Sequence, residues 1–108
     1  MAEPVLNIYL VTSPNIYRTS YDEYDSFVVC CETEQEARET LPGGQRYIFD
    51  KLRHCWADTF SGRVYGTHKY NTHGWVLGLD IDALRVERIG LAAPETRKGV
   101  ILSSFNAG

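Results

Sequence analysis

The sequence predicts an α+β fold, in which a small antiparallel sheet of about four strands carries one short acidic helix across a face. Alternating or continuous apolar segments lie towards both ends of the chain, and a helix-capping motif follows the second of them. A chain of 108 residues buries roughly two-thirds of its unfolded surface in one core. We therefore expect a single domain over residues 1–108, with a variable insertion at about 44–75.

The first two strands are predicted from side-chain patterns. In residues 5–11, Leu6, Ile8 and Leu10 alternate with the other side chains, which is typical of a strand with one strongly apolar face. Residues 26–31 are short, apolar and rich in strand formers. We expect this second strand to be buried on both faces.

A short helix should follow the second strand. Thr33 and Glu36 form a Thr-x-x-Glu capping box. In this motif the Thr33 hydroxyl accepts the backbone N–H of Glu36, and the Glu36 carboxylate reaches back to the start of the helix. Ala37 and Leu41 lie four residues apart and therefore on one face. The Pro-Gly-Gly sequence at 42–44 ends the helix after about two turns.

The insertion is less regular. Ile48, Leu52 and Cys55 recur at helical spacing, which favours a second helix within 45–56, although residues 47–49 would also suit a strand. Glycines and polar residues predict a loop over 59–74, with a short hairpin around 63–65.

Two strands complete the predicted sheet. Leu84 and Val86 alternate with charged residues, and the step to Ile89 suggests a bulge before Gly90. A polar turn follows, and residues 100–105 form the last apolar strand. Because a sheet this small has edges to protect, its fold is compatible with a homodimer.

The charge is unevenly distributed. The whole chain carries 14 acidic and 11 basic residues, but the segment from Asp22 to Glu39 holds seven carboxylates and one arginine, a net charge of -6. The region from Gly44 to His73 carries +3. An overall charge of -3 excludes a generally basic nucleic-acid binder. We therefore expect no direct nucleic-acid binding and a partner with a basic surface.

Targeting signals and disulfides are not expected. The apolar runs are far shorter than the roughly 20 residues that span a bilayer, and the N-terminal sequence lacks the features of a secretory signal. Cys30, Cys31 and Cys55 form an odd set with an adjacent pair, which suits reduced thiols better than a disulfide framework. These features predict a cytoplasmic protein without a membrane contact.

The two ends of the chain resemble a known family. The ending GVILSSFNAG, the Tyr-Asp-Glu-Tyr-Asp sequence at 21–25, the apolar strand after it and the acidic helix ending near Pro42 are similar to those of a family of small uncharacterised proteins from tailed bacteriophages. The resemblance covers about the first 42 and the last 34 residues. It implies a phage origin, and hence the cytoplasm of an infected bacterium, but no reaction or catalytic residues.

Tyrosines beside carboxylates make the acidic segment a candidate binding surface. Tyrosine supplies rigid contact area, and carboxylates match the arginines and lysines of a partner. We expect a protein that binds a host protein, for host takeover or to disable a host defence. The candidate partner-binding residues are Tyr21, Asp22, Glu23, Tyr24, Asp25, Glu32 and Glu36.

An enzyme or small-ligand binder that uses a pocket in the insertion is the alternative. Its candidate residues are His54, Cys55, Trp56, His68, His73 and Trp75. These aromatic, thiol and imidazole groups could line a ligand site or supply a Cys/His nucleophile pair. Because Cys-x-x-Cys and His-x-x-x-His spacings are lacking, we expect neither a metal nor another cofactor.

Overall fold

Seven strands, one α-helix and one 3-10 helix make up the fold. The computed structural model describes residues 5–14, 23–44, 46–68, 71–72 and 74–106. In chain order the elements are β1 (Asn7–Thr12), β2 (Glu23–Cys31), α1 (Glu34–Arg38), β3 (Tyr47–Asp50), β4 (Cys55–Asp58), β5 (Val64–Tyr65), the 3-10 helix (Gly78–Ala83), β6 (Arg85–Leu91) and β7 (Gly99–Asn106).

The strands form two antiparallel sheets. The larger sheet has four strands in the order β6-β1-β2-β7, and the smaller has three in the order β3-β4-β5. The predicted α+β class is confirmed, and the four strands expected from the two ends of the sequence make up the larger sheet. The smaller sheet is built from the insertion.

One face of the larger sheet, its inner face, forms one side of the hydrophobic core. Val11 pairs with Phe27 on one side and with Val86 on the other, and Tyr9 pairs with Val29. Because side chains alternate along a strand, these residues share the inner face. Val11, Phe27 and Val29 are almost fully buried there.

Two tryptophans pack the smaller sheet, and the segment between β5 and the 3-10 helix, against this inner face. Trp56 of β4 is fully buried, and its Nε1–H donates to the Glu39 carbonyl oxygen at 2.8 Å. Gly66 lies so close to this ring that a Cβ there would be 2.7 Å from it. Trp75 meets Phe27 edge-on, with ring centroids 5.3 Å apart. Both sheets and α1 therefore share one apolar core.

The prediction of a second helix within 45–56 is wrong. This segment forms β3 and β4, joined by a turn in which the Asp50 carboxylate accepts the backbone N–H groups of Leu52 and Arg53. His54 adopts a φ of 49°, which ends the turn and which a regular helix does not allow. The hairpin places Phe49 opposite Trp56, and these cross-strand contacts outweigh the weak helical spacing.

The local motifs at the other elements are confirmed. The Thr33 hydroxyl accepts the Glu36 N–H at 3.1 Å, and the Glu36 carboxylate accepts the Glu32 N–H at 3.2 Å. The helix itself ends at Arg38, earlier than the sequence predicts. The register between β1 and β6 shifts at Ile89, where the bulge was expected. The short hairpin strand around 63–65 is β5.

Candidate functional site

The predicted acidic surface is divided between the two ends of β2. Glu23, Tyr24 and Asp25 lie at its first residues, while Glu32 and Glu36 lie beyond its last. At about 3.3 Å per residue, the two groups are roughly 26 Å apart along the strand. A small contact would therefore cover one group and not both. Tyr21 and Asp22, predicted for the same surface, lie outside the described residues.

The group at the start of β2 is built around a bulge. Tyr24 pairs with Phe105 and Ser26 with Ser104, so Asp25 is the extra residue on β2. The Tyr24 and Phe105 rings contact each other at a centroid distance of 4.8 Å, and Tyr24 packs against the core. Tyr24 therefore serves in part to close this end of the core, beside two acidic residues.

The group at α1 contains ion pairs. Lys98 Nζ lies 3.1 Å from Glu32 Oε1 and 3.4 Å from Glu36 Oε1. Its hydrogen bond to Glu32, together with the charge of Glu36, raises the pKa of Lys98. Glu39, at the end of α1, lies 3.9 Å from Lys51 Nζ. The carboxylates around α1 are thus partly neutralised by lysines from distant segments.

A groove of about 490 Å³ separates α1 from β3. We call it the α1–β3 groove. Its apolar lining includes Val29, Cys30 and Phe49, and its charged lining consists of Glu36, Glu39 and Lys98. An apolar lining with a few charged groups is typical of a binding site for a small molecule or a protruding side chain.

A smaller cavity of about 370 Å³ lies on the other side of Glu39 and Phe49, which line both. It is also lined by Lys51, His54 and Asp82. His54 is exposed, and its ring lies edge-on to Phe49 at 6.2 Å. Of the residues predicted for the alternative pocket, His54 is the one that lines a described cavity.

The other described residues predicted for the alternative pocket do not line this cavity with His54. Cys55, Trp56 and Trp75 are buried in the interior, and His68 is exposed in a turn. His73 lies outside the described residues. The arrangement gives the two tryptophans a structural role in the core.

The thiols are poorly suited to nucleophilic chemistry. All three cysteines are free and buried. Burial raises the pKa of Cys30, and burial together with the nearby charge of Glu36 raises that of Cys31 to about 11. Both thiols are therefore protonated at neutral pH. Because the thiolate is the reactive form, they are poor nucleophiles.

Sequence reasoning did not identify three residues that define the groove. Phe49, Glu39 and Lys98 come from three separate segments, and Lys98 reaches Glu32 only because Gly99 pairs with Cys30 across the sheet. The acidic composition of the helix was the one available signal for Glu39. Lys98 had no such signal, because local sequence does not reveal the pairing of strands that brings it to Glu32, 66 residues away.

In the described ranges, no group of three or more His, Cys, Asp or Glu residues is placed to hold a metal ion. No helix there combines the length and the apolar character needed to cross a bilayer. Comparisons of the chain with protein-family models, with curated proteins and with solved structures find no match. Among the described residues, the α1–β3 groove combines apolar and charged groups in one cavity.

Proposed function

We propose that this chain is a small accessory protein of a tailed bacteriophage that binds a host protein with a basic surface, in the cytoplasm of the infected cell. The resemblance of both chain ends to a phage family supports the origin. The α1–β3 groove supports the binding role, because it places carboxylates beside an apolar cavity. An arginine or lysine of the partner has an apolar stem and a cationic head, which match these two features.

The ion pairs around the groove favour exchange with a partner. Lys98 is about half exposed, and Lys51 is three-quarters exposed. Exposed ion pairs contribute about 0 to 1 kcal/mol to stability. A partner's cation can therefore replace either lysine at little cost, and its side chain can then bury apolar area in the groove.

Binding to a bacterial lysate at low and high salt tests the proposal. We expect the immobilised chain to capture a basic protein at about 50 mM salt and to retain far less at about 500 mM, because salt screens exposed charges. The variant Glu32→Gln/Glu39→Gln removes the Glu39 charge that lines the groove and the Glu32 charge that pairs with Lys98 beside it, while keeping the side-chain shape. It should weaken binding of the purified partner at least tenfold.

Two further variants locate the contact. Glu95→Gln removes an exposed charge in the turn before β7 and should leave binding unchanged. The triple reversal of Asp22, Glu23 and Asp25 to lysine tests the other acidic group. Loss of binding in this variant alone would move the contact to the start of β2. Capture that resists high salt and every acidic substitution would contradict a basic partner.

The second candidate function is binding of a small ligand by the insertion. Its support is that Phe49 separates two neighbouring cavities, both bordered by residues of β3 or the following turn. Screening a metabolite library for an increase in melting temperature tests this function. A ligand whose effect is lost in Phe49→Ala, without any captured protein, would favour this candidate over a protein partner.

A further inference from the structure

The outer face of the larger sheet carries an apolar row that no described element covers. α1, the smaller sheet and the tryptophans pack on the inner face, with Val11 and Phe27. Residues that alternate with these point outward. Strand register aligns the large outward side chains in one row across three strands, and we call this the large row: Leu10, Val28 and Leu102. Leu102 is 67% exposed, while Leu10 and Val28, on the two central strands, are half-buried.

A row of small side chains lies next to it. Two residues further along each strand, register aligns the hydroxyl residues that we call the small row: Thr12, Ser26 and Ser104. Neighbouring outward residues on a strand are about 7 Å apart. The outer face thus has a ridge of large side chains beside a trough of small ones.

Each row ends at β6 in a charged residue of opposite sign. Glu87 pairs with Leu10 and ends the large row, while Arg85 pairs with Thr12 and ends the small row. Both side chains are exposed, and neither forms an ion pair with a described residue. Their neighbour Val86 packs into the core, which fixes both on the outer face.

We propose that two copies of this chain pack face to face through this outer face, related by a two-fold axis that runs between the two rows and across the strands. That rotation places the large row of each copy over the small row of the other, so that ridges fill troughs. It also places Arg85 of each copy opposite Glu87 of the second copy, giving two reciprocal ion pairs. Only a second copy has this pattern by symmetry. The proposal does not depend on the proposed function.

The size of the face sets the strength of the dimer. Four strands about 4.8 Å apart and at least six residues long present a face of roughly 400 Å². Two such faces total roughly 800 Å², which is below the about 1,000 Å² of a stable specific interface and within the range of weak, transient contacts. We therefore expect a reversible dimer with a Kd in the micromolar range.

Analytical ultracentrifugation of the full chain, from about 1 to about 500 µM, tests the dimer. The wild type should shift from monomer to dimer over this range. Leu102→Asp should stay monomeric throughout, with its melting temperature at low concentration unchanged. The matched control Leu52→Asp places the same charge in the β3–β4 turn, at a side chain that is 95% exposed, and should dimerise as the wild type does.

Charge reversal tests the two-fold register without altering the apolar rows. Arg85→Glu and Glu87→Arg should each weaken the dimer about tenfold or more, and the double variant should restore it. A wild type that stays monomeric at every concentration overturns the proposal. In that case, a lower melting temperature of Leu102→Asp would show that the chain itself covers this face, and an unchanged one would leave the face to another partner. A dimer that persists in Leu102→Asp, or that ignores both charge reversals, also overturns it.

Discussion

At the scale of single residues, two close backbone contacts of Gly78 hold the insertion against the 3-10 helix. Gly78 begins the 3-10 helix directly against the backbone of His54, and a Cβ at this position would collide with the His54 carbonyl oxygen. The Gly78 N–H also donates to the Gly66 carbonyl at 2.9 Å. The close approach therefore ties β4, the loop after β5 and the 3-10 helix together.

Gly78→Ala should lower the free energy of unfolding by about 3 kcal/mol or more, because the backbone on both sides would have to move apart. The matched control is Gly90→Ala in β6, where an added Cβ would meet nothing within 4 Å. Urea unfolding of both variants provides the measurement. Equal stability of the two variants would contradict the described packing at Gly78.

The Cys31 thiol predicts a specific loss of stability at alkaline pH. Its pKa rises from 9.0 in the unfolded chain to about 11 in the fold. The unfolded state therefore loses its proton first, and the stabilisation present below pH 9 disappears as the pH rises towards 11, by about 3 kcal/mol in total. Cys31→Ser keeps the donor to the Thr33 carbonyl but does not titrate in this range.

We expect the stability of the wild type to fall more steeply between pH 9 and 11 than that of Cys31→Ser. Chemical denaturation at a series of pH values measures both slopes. Parallel slopes would mean that the Cys31 thiol titrates alike in the folded and unfolded chains. This result would contradict its burial beside the groove.

At the scale of elements, Arg38 connects α1 to the 3-10 helix. Its Nη1 donates to the carbonyl oxygens of Ile81 at 3.0 Å and Leu84 at 2.6 Å. It also lies 3.5 Å from Glu34 on its own helix. A five-residue helix cannot persist without such tertiary contacts, so this one side chain fixes the position of the element that borders the groove.

Arg38→Met should therefore cost about 2 kcal/mol of stability, since it retains much of the apolar stem but leaves the carbonyl groups without a charged donor. Arg97→Met, at an exposed position before β7, should change stability by less than about 0.5 kcal/mol. Thermal unfolding separates the two. A neutral Arg38→Met would show that solvent replaces the guanidinium without cost.

The elements also explain how far the sequence could predict the fold. The capping box at Thr33 and the bulge at Ile89 are local signals, and local geometry agrees with the tertiary structure at both. The β3–β4 hairpin is decided instead by pairs such as Phe49 with Trp56, which no periodicity within four-residue strands could reveal. The groove was harder to predict, because Lys98 and Glu39 meet only through the register of the sheet and the path of the chain after α1.

At the scale of the whole molecule, the described core joins the two sheets. Tyr9 and Phe27 of the larger sheet, Ala37 of α1 and Trp56 of the smaller sheet belong to one buried cluster. A shared core of this kind makes partial unfolding expensive, because separating the sheets would expose both tryptophans and the face that they cover. The single domain predicted from chain length should therefore behave as one cooperative unit.

The two tryptophans provide separate probes of that cooperativity. Trp56 reports on the smaller sheet, and Trp75 reports on the contact with Phe27 of the larger sheet. In the single-tryptophan variants Trp56→Phe and Trp75→Phe, fluorescence and far-ultraviolet circular dichroism should give one common midpoint within each variant, although each substitution lowers stability. Two separate midpoints in either variant would show that the sheets unfold independently. Because β3 borders both cavities, such independence would also allow the groove to open without unfolding the larger sheet.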